Sequence, residues 1–161
     1  MSQVHILNSK ERKHILRGIN ERFGCEFTTD KAMLINNKDR IYIIDTALDR
    51  VPAETLRIDS IGMYFGTMEN DEMRPSIEGS QLIGPQATKH IIDIDDVEIE
   101  HWVTGQDIHI PAEEARAIEH GLNLIRHKGD FFGCAKTQVG DGAKLINHVP
   151  KIRRMKTINR P

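Results

Sequence analysis

Six cations crowd the last twenty residues of the chain: Lys144, Lys151, Arg153, Arg154, Lys156 and Arg160 lie between Gly142 and Pro161, with no acidic residue among them. Lys151, Arg153, Arg154 and Lys156 follow Pro150 closely, and the proline sets the chain direction there. Lysine and arginine at this density suit phosphate, because each neutralised phosphate releases condensed counterions and so adds sequence-independent affinity. Arginine adds a planar fork that grips phosphate oxygens or stacks on bases. The same composition also suits a solvated tail. The rest of the chain holds 16 basic and 24 acidic side chains, so binding to a polyanion should be confined to one face.

Other chemistry is thinner. Cys134 lies two residues before Lys136, on the same face if the segment is a strand, and an adjacent ammonium lowers a thiol pKa. No histidine stands out as its base, although His127 and His148 fall on neighbouring predicted strands. Asp93, Asp95, Asp96 and Glu98 offer oxygen ligands but lack the glycine turn of a calcium loop, and a helix N-terminus explains the cluster. Asp141-Gly142-Ala143-Lys144 has the glycine and lysine of a phosphate loop, yet Leu145 follows the lysine and a strand comes next, which points to a hairpin turn. Cys25 and Cys134 form no CxxC pair, and the eight histidines show no ligand spacing. The sequence therefore predicts no metal, no cofactor and no catalytic residue.

The elements that must position these residues are short. Asn8 and Glu11 make a capping box for a helix whose Ile15, Ile19 and Phe23 recur at spacing four, with Leu16 beside them and Gly24 as its stop. Its Lys10, Arg12, Lys13 and Arg17 form either a solvated face or a second basic patch. Strands are predicted over 32–35 and 40–44 around the polar turn Asn36 to Asp39. A short helix is expected at Val51-Pro52-Ala53-Glu54, then β-forming residues from Ile58 to Met68 and a turn at Asn70-Asp71. The spacing next gives a helix from Glu78 to Ile83 stopped by Gly84-Pro85 and a strand over 90–94. A capped helix carries Trp102, and three strands follow over 122–126, 131–137 and 144–148. The expected fold class is α+β: a small N-terminal α/β unit, residues 1–72, packed on a partly closed barrel, residues 73–161.

Composition agrees with an ordinary folded chain, with 39% hydrophobic and 29% charged residues. No apolar run approaches the roughly 20 residues that span a bilayer, and Met1 to Lys10 lacks a signal-peptide pattern. A cytoplasmic location and no membrane partner are expected.

Several ordered pieces carry a family resemblance: Gly62-Met63-Tyr64-Phe65-Gly66, Arg74-Pro75-Ser76-Ile77-Glu78-Gly79, Trp102 to Asp107, Gly129 to Lys136, and Gly142 with Asn147 to Arg154. In this order they resemble a PUA-like RNA-binding domain, similar to the C-terminal domain of Nol/Nop/Sun-family RNA cytosine-5 methyltransferases and to their stand-alone ribosome-biogenesis relatives. The resemblance implies a pseudo-barrel that binds structured ribosomal or transfer RNA. It implies RNA contacts at Arg74, Ser76, Lys136, Asn147, Lys151, Arg153 and Arg154, to which the charge pattern adds Lys144 and Lys156. The enzymes' cofactor domain and paired catalytic cysteines have no counterpart in these residues. The expected function is a non-catalytic RNA-binding module in ribosome biogenesis or RNA modification. Its expected partners are RNA and an RNA methyltransferase or ribosomal protein. The alternatives are an adaptor that recruits an RNA-modifying enzyme through protein contacts, and a small enzyme using Cys134.

Overall fold

The computed structural model describes residues 4–45 and 62–156. The expected helix at Val51 to Glu54, the start of the β-rich stretch at Ile58, and Arg160 lie outside the described residues. The rest is α+β, with two five-stranded sheets among the described residues.

The first sheet is an antiparallel meander of β1 (Val4–Ile6), β2 (Ala32–Asn36), β3 (Arg40–Ile44), β4 (Met63–Glu69) and β5 (Glu72–Pro75), paired in that order. Between β1 and β2 runs α1 (Ser9–Phe23). Its capping box forms as expected: Glu11 N donates to Asn8 Oδ1 at 2.9 Å and Asn8 N to Glu11 Oε1 at 3.0 Å. Gly24 ends the helix at φ 60, a left-handed conformation that costs glycine no Cβ clash. The β2–β3 turn is organised by Asn36, whose Oδ1 accepts from Lys38 N at 2.9 Å and Arg40 N at 3.0 Å. Asn70 and Asp71 both have positive φ, 51 and 64, as a two-residue hairpin between β4 and β5 requires. The expected division after residue 72 falls within β5.

The second sheet has the order β6-β8-β9-β10-β7, with β6 (Ile91–Asp93), β7 (Ile108–Pro111), β8 (Gly121–His127), β9 (Asp130–Val139) and β10 (Gly142–Ile146). Both edges of this sheet go beyond the three strands expected over 122–126, 131–137 and 144–148. β6 pairs parallel with β8, and β7, which periodicity had not revealed, pairs with β10. Two helices serve this sheet. α2 (Ile77–Ile83) is capped by Ser76, whose Oγ accepts from Gly79 N at 2.9 Å. It ends at Ile83, as expected, with Gly84 as its C-cap. The glycine stays right-handed and leads into a 3-10 turn, Gly84–Gln86, where a Cβ would strike the Phe131 ring. α3 (Asp96–Val103) starts from the Asp95–Glu98 capping box.

The core explains the packing of the two sheets. Ile15, Ile19 and Phe23 of α1 join Met33, Ile41, Ile43, Phe65 and Met73 of the first sheet with Leu122, Leu124, Phe131 and Cys134 of the second in one buried cluster. Burial of each large side chain contributes roughly 1.5–3 kcal/mol. The opposite face of the second sheet buries Ile125, Ala135, Ala143 and Leu145 against Trp102 and Val149. Thus β8 is covered on both faces, which is why Leu122-Asn123-Leu124-Ile125 does not alternate in polarity. Its buried Asn123 is satisfied by the carbonyls of Glu119 and Gly121 and by Thr137 Oγ1, all within 3.2 Å. Arg22 ties α1 to the same region, donating to Leu122 O at 2.9 Å and His120 O at 3.0 Å. The outer face of the first sheet keeps only a small cluster of Leu34, Tyr42 and Ile44, with Tyr64 partly buried against it.

Candidate nucleic-acid interface

That outer face forms the floor of a groove of about 900 Å³ that runs across both halves of the molecule. The β2–β3 turn supplies Lys38, the start of β3 supplies Arg40, β4 and β5 supply Tyr64, Thr67 and Arg74, and the closing stretch supplies His148, Ile152 and Arg153. Four cations, Lys38, Arg40, Arg74 and Arg153, line it against one carboxylate, Glu78, among the described residues. In a chain of net charge −2 that is a local reversal of sign, and it makes the groove an anion-attracting surface.

The cations are held in different ways. Arg40 is exposed, with its guanidinium 5.8 Å over the Tyr64 ring centroid. Tyr64 in turn packs on Tyr42, its cross-strand partner, at 5.7 Å between centroids, and its hydroxyl hydrogen-bonds Thr67. Arg153 pairs with Glu78 at the N-terminal turn of α2. Deeper in the wall, Arg74 Nε and His148 Nε2 are buried with no hydrogen-bond partner among the described residues. Burial, and then the neighbouring Arg74 charge, lower the His148 pKa below its ordinary 6.5. A buried N–H left unpaired costs roughly 1–3 kcal/mol, so the unpartnered Arg74 Nε in this wall favours a polar ligand.

Beside the groove the charge continues onto the second sheet. Lys136 of β9 and Lys144 of β10 share a face, because Lys136 stands opposite Ile146 and Gln138 opposite Lys144. Lys136 donates to Glu69 Oε1 at 2.9 Å, and that bond holds the Glu69 pKa below its usual value. Lys144 lies 3.9 Å from Asp107. Lys151 and Lys156 are exposed in the closing stretch.

Three of the expected contact residues are placed differently. Ser76 is buried; besides capping α2, its hydroxyl donates to Tyr64 O at 2.6 Å. Asn147 is buried too. Its Nδ2 donates to Trp102 O at 2.7 Å and Gln106 O at 2.9 Å, and its Oδ1 accepts from Val149 N at 2.8 Å. Arg154 lies against Gly105 and donates from Nε to Val149 O at 2.9 Å. These bonds to backbone build the frame: Ser76 ties the start of α2 to β4, while Asn147 and Arg154 hold the closing stretch beside the end of α3, where Met155 N also reaches Val103 O. Conversely, Lys38, Arg40, Tyr64 and His148 enter the groove without having been singled out as contacts in the sequence. The only signal for Lys38 was its place in a polar turn, and Arg40 stood at the start of a predicted strand.

The enzymatic alternative at Cys134 loses its basis. The thiol sits in the main core, where burial pushes its pKa up to about 12, so it stays protonated and unreactive. Lys136, on the same strand face, reaches out to Glu69 instead. The acidic cluster is also engaged: Asp93 pairs with Arg126 at 2.7 Å, Asp95 caps α3, and Asp96 accepts from His127 at 2.8 Å and lies 3.1 Å from Lys128. None of the described helices is long and apolar enough to cross a membrane.

The strands of the second sheet and α3 lie in a stretch that is similar to the PUA-like domain of Sun-family RNA methyltransferases. Residues 89–155 match the family described as the methyltransferase RsmF PUA domain. Over 145 residues, 90% of this chain, the sequence is 25% identical to ribosomal RNA small subunit methyltransferase F of Aeromonas salmonicida (strain A449). The chain spans 28% of that protein's length.

Proposed function

We propose that this chain is an RNA-binding module that holds structured ribosomal or transfer RNA and serves ribosome biogenesis or RNA modification without itself catalysing a reaction. The observation that carries the reading is the cationic groove beside a PUA-like domain related to that of a ribosomal RNA methyltransferase. Lys38, Arg40, Arg74, Lys136, Lys144, Lys151, Arg153 and Lys156 supply the phosphate contacts. Ser76, Asn147 and Arg154 hold the backbone that presents them. On this reading residues 1–72 are a pre-PUA unit that contributes one wall of the interface, and residues 73–161 contribute the other. The protein acts in the cytoplasm, alongside an RNA methyltransferase or a ribosomal protein, and needs no cofactor.

Binding to a ribosomal RNA hairpin should weaken steeply as salt rises. Replacing Lys38, Lys136 and Arg153 together by alanine should reduce the slope of log affinity against log salt by about three, one for each lost phosphate contact. Fluorescence anisotropy across a salt series measures this. An unchanged slope would remove the groove from the interface, and no binding by the wild type would end the RNA reading.

A further inference from the structure

We propose that the groove contains a slot for a single unpaired nucleobase, formed by Arg40, Tyr64 and Ile152. This inference rests on the RNA-binding reading and adds a ligand class to it: an extrahelical nucleotide within structured RNA. The slot lies mainly on the first sheet, since Arg40 and Tyr64 fall outside the matched residues 89–155.

Arg40 is built as a platform. Its backbone N–H is fixed by Asn36 Oδ1 and its guanidinium rests over Tyr64. Tyr64 is itself fixed, by Tyr42 across the strand pair and by its hydroxyl bond to Thr67. A guanidinium plane ordered on an aromatic ring presents its outer face to solvent, and such a plane stacks on a nucleobase. Ile152, lining the same groove, is 92% exposed. An isoleucine at that exposure offers apolar surface to a base. Arg74, whose Nε has no partner, lines the same groove and supplies a cation for the phosphate of the extruded nucleotide. Bases within a duplex are stacked on one another and present only their edges, so the platform selects a base that has left the stack.

The test uses two hairpin RNAs of the same stem, one fully paired and one with a single-adenine bulge, with affinities read by anisotropy. For the wild type the bulge should tighten binding roughly ten-fold, the scale of one base stacking on a platform. Arg40→Lys keeps the charge and loses the plane. It should keep the salt slope of the wild type on each hairpin and bring the ratio of the two affinities, bulged over paired, down to about one. Ile152→Ser, at an exposed position, should lose part of that gain. Equal wild-type affinity for both hairpins, or a full gain retained by Arg40→Lys, would overturn the slot while leaving the RNA-binding reading intact. Binding to neither hairpin would overturn both.

Discussion

Asn147 and Lys151 stand four positions apart in the same closing stretch, yet their side chains do opposite work. Asn147→Ala would strip two backbone carbonyls and one backbone N–H of their partners in a buried setting. It should cost about 3 kcal/mol in denaturant unfolding, whereas Lys151→Ala should change stability by less than about 0.5 kcal/mol and act on RNA affinity alone. Residue type and charge made both look like ligand contacts. Burial separates them, and burial depends on where α3 ends, which neither residue reveals locally. The histidines carry a pH signature. His148 has a folded pKa below the unfolded 6.5, so the unfolded chain takes up its proton first on acidification. The stability that neutral His148 contributes is complete above that value and is lost as pH falls from it toward the folded pKa. Thermal unfolding should thus drop to lower temperature between neutral pH and mild acid. His148→Gln should reduce that dependence. His90, whose pKa burial also lowers, leaves a residual slope of the same sign.

Among the elements, those with local grammar were legible in the sequence. The α1 capping box, the Asn36 turn, the Asn70-Asp71 hairpin and the cap of α3 follow from short-range rules, and each has its expected geometry. The three-residue β1, the parallel partnership of β6 and the edge strand β7 were not legible, because they exist through pairing with distant segments rather than through their own periodicity. The groove failed to show for the same reason: its walls come from a turn near residue 38 and a stretch near residue 150. Close approach was hidden as well. A Cβ at Gly79 would collide with the Phe65 carbonyl oxygen, so α2 lies against β4 only because residue 79 is glycine. Gly79→Ala should destabilise the fold by about 1–3 kcal/mol through forced separation of α2 and β4, whereas Gly18→Ala in α1, with open space around it, should be stabilising by roughly 0.5–1 kcal/mol. Denaturant midpoints of the two variants should therefore move in opposite directions.

At the scale of the whole molecule, the main core draws on both sheets, and Arg22 fastens α1 to the far one. The chain should unfold in a single transition by circular dichroism and by fluorescence of Trp102. The segment 73–161 expressed alone would expose Leu122, Leu124 and Phe131 and should aggregate or melt well below the intact protein. The resemblance pointed to the PUA-like stretch that includes residues 89–155, but could not say that the first half would share its core and lend the groove a wall. One last consequence belongs to β8. With side chains packed against it from both faces and hydrogen-bonded neighbours on both edges, its backbone has no route to solvent short of opening the whole structure. In deuterated buffer the amides of Leu124 and Ile125 should be the last to exchange, at rates that report the global free energy of unfolding rather than local breathing.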